Sequence, residues 1–154
     1  MGTMIHCERL TWPVWVHLAL GTVVGLSLYG GIGLIAASWQ SWIPLGTAGL
    51  LGFIWWRIRF LVVETGPDGI AFGFGRPGRR VTRDKIKSAE AVDYSFGRYM
   101  GWGFCIGWKP RERAYSIMGY PRGLQVSFLD EQDREWNVFL SCTDPEAGVR
   151  ALQT

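Results

Sequence analysis

The chain has 154 residues and carries 16 Lys and Arg against 13 Asp and Glu, a formal net charge of +3. That length allows one domain, or a small domain plus an anchor, and so mild a charge gives no ground for a nucleic-acid-binding protein. Three isolated cysteines, Cys7, Cys105 and Cys142, with no CxxC pair argue against a disulfide framework or a zinc site and suit a reducing compartment.

Residues 1–11 read as a cytoplasmic N-terminal segment. From Leu10 to Trp56 there is then no Asp, Glu, Lys or Arg. That uncharged run is far longer than the roughly 20 apolar residues of one bilayer crossing, and too long for a cleaved signal peptide. It predicts two membrane helices over residues 12–60, the first from about Trp12 to Ala37 and the second from about Trp42 to Phe60. Ser38 to Trp42 and Pro44 would form the turn. Trp12, Trp15, Trp39, Trp42, Trp55 and Trp56 fall near the predicted ends, where indole rings favour the headgroup level. Arg9 precedes the first span, Arg57 and Arg59 close the second, and the connecting turn carries no positive charge. The positive-inside rule then places both termini in the cytoplasm, in a multi-pass topology.

Small residues recur at four-residue spacing in this region. Gly21 with Gly25, and Ala48 with Gly52, are the candidate helix-packing face, either within the hairpin or toward another membrane protein. His17 is the one histidine inside the spans. An intramembrane histidine raises contact with a haem or pigment metal as an alternative to a structural role, yet the membrane segment offers no second histidine for a bis-histidine haem.

Beyond Phe60 the hydrophobic period falls to two. Phe60 to Thr65 and Ile70 to Phe74 read as strands around the turn Gly66-Pro-Asp-Gly69. Further strands are predicted from Arg79 to Thr82, Ile86 to Val92, Trp102 to Trp108, Arg113 to Met118, Leu124 to Leu129 and Glu135 to Ser141. The expected body, residues 61–154, is a small antiparallel sandwich or barrel of about seven strands. A C-terminal helix follows, opened by Thr143-Asp-Pro-Glu146. Either Thr143 caps it with Glu146 closing a capping box, or Asp144 caps it with Pro145 at the first position.

The stretch Gly101-Trp-Gly-Phe-Cys-Ile-Gly-Trp108 alternates strictly between large and small residues. Its heavy face, Trp102, Phe104, Ile106 and Trp108, is expected to point into the core. Its bare face, Gly103, Cys105 and Gly107, is expected to meet a crossing strand or to serve as a partner surface. Gly73-Phe-Gly-Arg-Pro-Gly78 matches GxGxxG, but no helix opens after it, so it is not read as a nucleotide fingerprint. With no histidine after His17 there is no His-based acid–base pair, and no catalytic residue, cofactor, metal or small-molecule substrate is assigned. Charge is the anomaly. Arg76, Arg79, Arg80, Arg83, Lys85 and Lys87 gather within a dozen positions and are candidate contacts for anionic headgroups or a partner.

The strand order, the Gly101-Trp-Gly103 start, Ala114-Tyr115 and the Thr143-Asp-Pro-Glu-Ala147 helix opening resemble the pleckstrin-homology-like fold. With the hairpin in front, the layout resembles bacterial membrane-anchored pleckstrin-homology-like proteins. The resemblance implies a protein of the bacterial cytoplasmic membrane with a cytoplasmic domain and no catalytic residues to carry over. The expected function is non-enzymatic: protein–protein assembly with an integral membrane partner, as an accessory subunit of a larger complex. The alternative is an anionic-lipid-binding regulatory module acting alone.

Overall fold

A computed structural model describes residues 6–34 and 42–153. The chain divides into two compact units, one of residues 1–11 with 60–154 and one of residues 12–59.

The helical unit contains α1 (Val14–Leu34) and α2 (Trp42–Ile58). Two contacts show that they pack antiparallel. The His17 and Trp55 rings meet edge-on at 4.5 Å, and a Cβ at Gly31 would lie 2.7 Å from the Leu45 side chain. Among the described residues only α1 is long and apolar enough to cross a membrane, over Val14–Ile32. The expectation of two full crossings is therefore met in part. α2 has 17 residues, about 26 Å at 1.5 Å per residue, against a hydrocarbon core of roughly 30 Å. Pro44, expected in the turn, lies in the first turn of α2, where its missing N–H would have no helical partner anyway. The predicted turn at residues 38–41 lies outside the described residues.

The second unit is a two-sheet body. Among the described residues it has nine strands, against about seven expected; the one with no counterpart among the predicted ranges is β1. The first sheet has the order β1-β2-β3-β4, from β1 (His6–Thr11), β2 (Phe60–Gly66), β3 (Gly69–Phe74) and β4 (Arg79–Thr82). β1 corrects the sequence reading: residues 6–11 are not a separate segment but an edge strand, paired antiparallel with β2 from His6↔Thr65 to Thr11↔Phe60. The helical unit is thus an insertion between two neighbouring strands.

After a 3-10 turn (Arg83–Lys85), β5 (Ile86–Asp93), a short helix α3 (Phe96–Tyr99), β6 (Gly103–Ile106), β7 (Glu112–Ser116), β8 (Arg122–Leu129) and β9 (Glu135–Ser141) follow. The second sheet has the order β5-β8-β9-β7-β6. β9 inserts between β8 and β7 and runs parallel to β7, so the sheet is not wholly antiparallel as expected.

Leu61, Val63, Phe72, Leu124, Val126, Phe128, Val138 and Leu140 are all buried. Phe72 of the first sheet meets Tyr115 of the second at 5.1 Å. α4 (Pro145–Gln153) packs Ala151 and Leu152 inward. Its start settles the two capping alternatives: the Asp144 carboxylate accepts from the Ala147 amide at 2.8 Å, with Pro145 as first helical residue. Glu8 of β1 adds a second tie that the sequence did not suggest. Its carboxylate accepts from the Thr143 and Asp144 amides at 2.6 and 3.0 Å.

Candidate functional site

In the helical unit, the Trp12 indole donates to the Ile58 carbonyl at 2.9 Å. It satisfies one of the carbonyls that the end of α2 leaves without a helical partner. Trp15, Trp42 and Trp56 are exposed, as membrane-interface residues would be. Trp39 lies outside the described residues. His17 stands against Trp55, a packing contact between the helices. The expected packing face is only partly used: Ala48 is buried at 2% exposure, but a Cβ at Gly21, Gly25 or Gly52 would meet nothing within 4 Å. Gly31 and Leu45 make the close approach instead, because in an antiparallel pair the helix ends nearest the connection register with each other.

The body has a groove of ≈ 540 Å³ between β4 with its 3-10 turn and the β8–β9 turn. Arg79, Arg80 and Lys85 line one wall, and Asp130, Glu131 and Arg134 the other. Along β4 Val81 is buried and Arg79 half-buried, while Arg80 and Thr82 are exposed. The Arg79 guanidinium lies 4.8 Å from the Phe128 ring centre and 4.9 Å from that of Trp136, held by cation–π attraction and stem packing. Asp130 is fully engaged. It accepts from the Gln132 and Arg134 amides (2.8 and 3.0 Å), the Arg134 guanidinium (2.8 Å) and the Trp136 indole (3.0 Å). Partial burial pushes its carboxyl up, but these donors outweigh that and hold it well below the usual carboxylate range.

The predicted basic cluster is divided in space. Arg83 and Lys87 line a second groove with Ile86, Ser88 and Leu152, and Lys87 pairs with Glu135 at 2.9 Å. Arg76 stands exposed in the β3–β4 turn. Among the described residues Arg76, Arg79, Arg80, Arg83 and Lys85 make no ion pair.

The alternating stretch folds opposite to expectation. Phe104, Ile106 and Trp108 are 55%, 63% and 73% exposed, while Gly103 is buried and Cys105 half-buried. Phe104 does lie on the intersheet side, 5.2 Å from the Tyr115 ring. β6 is however the outermost strand of its sheet, where both Phe104 and Ile106 keep more than half of their surface exposed. The bare face is filled from within the protein. Tyr94 and Cys105 pack on the cluster of Tyr99, Ala114 and Phe139, so small residues on β6 make room for two tyrosines. Gly103, Cys105 and Gly107 are therefore not an open partner face. Gly103 has φ +97°, which a side chain rarely adopts, and a Cβ at Gly107 would lie 2.3 Å from Glu112 Oε2. Burial pushes the Tyr99 hydroxyl up to about 12, and among the described residues that hydroxyl has no hydrogen-bond partner.

A latch holds this segment. Glu112 on β7 has a side chain 2% exposed and pairs with Arg98 of α3. The Trp108 indole donates to the Gly97 carbonyl at 2.8 Å. Phe96 and Met100, in and just after α3, are 56% and 68% exposed. Sequence reasoning passed over both, because Phe96 to Met100 shows no period of two.

Compared with protein-family models, with curated proteins and with solved structures, the chain matches none.

Proposed function

We propose that this chain is a membrane-anchored, non-enzymatic, pleckstrin-homology-like module that works in protein–protein assembly, as an accessory subunit of a larger membrane complex. The observation that carries this reading is the uncovered apolar surface of α1. Leu18, Leu26, Tyr29 and Ile32 are each more than 60% exposed. Apolar surface costs roughly 25 cal/mol per Å² in water, so a helix without Asp, Glu, Lys or Arg that leaves this much apolar surface exposed calls for lipid or a membrane partner. α2 completes a hairpin if Arg57 and Arg59 reach up to the interface.

Connectivity supports the orientation. Thr11 and Phe60 pair across β1 and β2, so an antiparallel helix pair leaves and returns on one side. Arg9, Arg57 and Arg59 flank that side, which under the positive-inside rule supports its being the cytoplasmic face of a bacterial inner membrane. The two sheets followed by α4 support the pleckstrin-homology-like resemblance, from which the parallel β7–β9 pair departs.

Assembly is supported at β6. Among the described residues its outer edge pairs with no strand, and Phe104, Ile106 and Trp108 stand exposed on and just after it. Bare edges with apolar flanks are templates for strand addition, so the partner fitted to this edge is an extended apolar segment of another protein. Ile106→Asp, in a full chain extracted from native membranes with mild detergent, should lose a stoichiometric partner while its melting changes little. A wild-type chain that purifies alone, or a variant that keeps its partner, would sink the assembly reading.

A further inference from the structure

We propose that the groove between β4 and the β8–β9 turn binds a phosphate-bearing anion, with Arg79 as its fixed floor and Arg80 and Lys85 as its arms. This is a separate property from assembly at β6 and does not depend on it.

The charge balance of the groove points this way. Its lining holds four cations, Arg79, Arg80, Lys85 and Arg134, against Asp130 and Glu131. Arg134 and Asp130 neutralise each other through a bidentate contact at 2.8 Å. Three cations then face the single Glu131, so the cavity carries an uncompensated charge of about +2. None of the three has an ion-pair partner among the described residues.

The geometry adds preorganisation. Arg79 is clamped on Phe128 and Trp136, so its planar fork loses little rotamer freedom on binding, and a guanidinium fork suits the oxygens of phosphate. Asp130, the carboxylate that would repel an anion most directly, has its oxygens occupied by four donors. A charge run kept only as a topology signal needs no cavity, no aromatic clamp and no internally neutralised carboxylate. Arg83 and Lys87 fit that simpler description, because they lie outside this groove.

The phosphate can come from a lipid headgroup or from a soluble molecule. The test uses the full chain in neutral zwitterionic micelles and reads the Trp136 indole ¹⁵N–H resonance, which reports on the Asp130 and Arg79 surroundings. One arm titrates inorganic phosphate and glycerol 3-phosphate. The other replaces a fraction of neutral lipid by phosphatidic acid. We expect a saturable shift in at least one arm, weakened at least about tenfold by Arg80→Gln with Lys85→Gln and unchanged by Arg76→Gln with Arg83→Gln, whose residues lie outside the groove. A shift in the soluble arm assigns the site to a free phosphate compound. A shift only with phosphatidic acid assigns it to a headgroup. No saturable shift in either arm overturns the proposal. So does a shift that both double variants reduce equally, since that is diffuse attraction to a positive protein.

Discussion

Replacing Arg98 by Met should unlock α3 from the sheet. The Glu112 side chain is 2% exposed. Its remaining donor would be the Lys109 amide, at 3.4 Å, too long to compensate a buried carboxylate. Removing one member of a buried pair costs roughly 3–5 kcal/mol. The Arg98 side chain is 36% exposed, so water can follow it out, and a loss of about 3 kcal/mol or slightly less is expected. Met keeps a stem of similar length, so the loss reports the guanidinium, which pairs with Glu112 and lies 5.6 Å from the Tyr99 ring centre. Adding Glu112→Gln removes the stranded charge, and the double variant should be more stable than Arg98→Met alone. The assay is urea unfolding of the full chain in mild detergent, followed by near-ultraviolet dichroism, because Tyr94 stacks on Tyr99 at 5.6 Å and on Trp102 at 4.7 Å beside α3. A loss below about 0.5 kcal/mol, as for an exposed pair, or a double variant weaker than the single, would refute the reasoning.

Gly107→Ala should lower stability by roughly 1–3 kcal/mol, because its Cβ would press on Glu112 Cγ, 2.5 Å away, as well as on the carboxylate; thermal melting no lower than wild type would contradict this. Asp130 titrates below its ordinary value in the folded protein. Its contribution to stability is therefore complete above the unfolded carboxylate range and fades as pH falls through the folded value. Asp130→Asn should flatten the acid limb of a stability–pH profile, and an unchanged limb would contradict the assignment. Burial, reinforced by Glu8, pushes the Cys142 thiol up to about 12. At pH 8 a thiol reagent should modify exposed Cys7 well before Cys142, and equal rates would show that the β1–α4 region opens freely.

Legibility followed the range of the forces involved. The β2–β3 hairpin was plain from Gly66-Pro-Asp-Gly69, and α4 from Asp144-Pro145, because turns and caps are local chemistry. β1 was not legible. Its six residues, two of them charged, resemble a flank before a span, and the partner strand lies beyond the whole helical insertion. The alternation around β6 correctly gave a strand, but a period of two does not say which face is covered. That was decided by Tyr94 and Tyr99, folded onto the small residues, and by the outermost place of β6 in the sheet. The basic run was legible as charge, not as a site. The 3-10 turn at Arg83–Lys85 sends its members to two grooves, and the rings that clamp Arg79 come from β8 and β9, more than forty residues further on.

The central claim is that residues 12–59 form a membrane hairpin with the β body on its cytoplasmic side. Single cysteines at Gln40 and at Asp68, in a chain with Cys7, Cys105 and Cys142 replaced, test it most directly when intact cells meet a membrane-impermeant thiol reagent. The account predicts that Gln40→Cys reacts in intact cells and Asp68→Cys only after permeabilisation. Labelling of both positions from the same side, or of Asp68→Cys alone in intact cells, would contradict it.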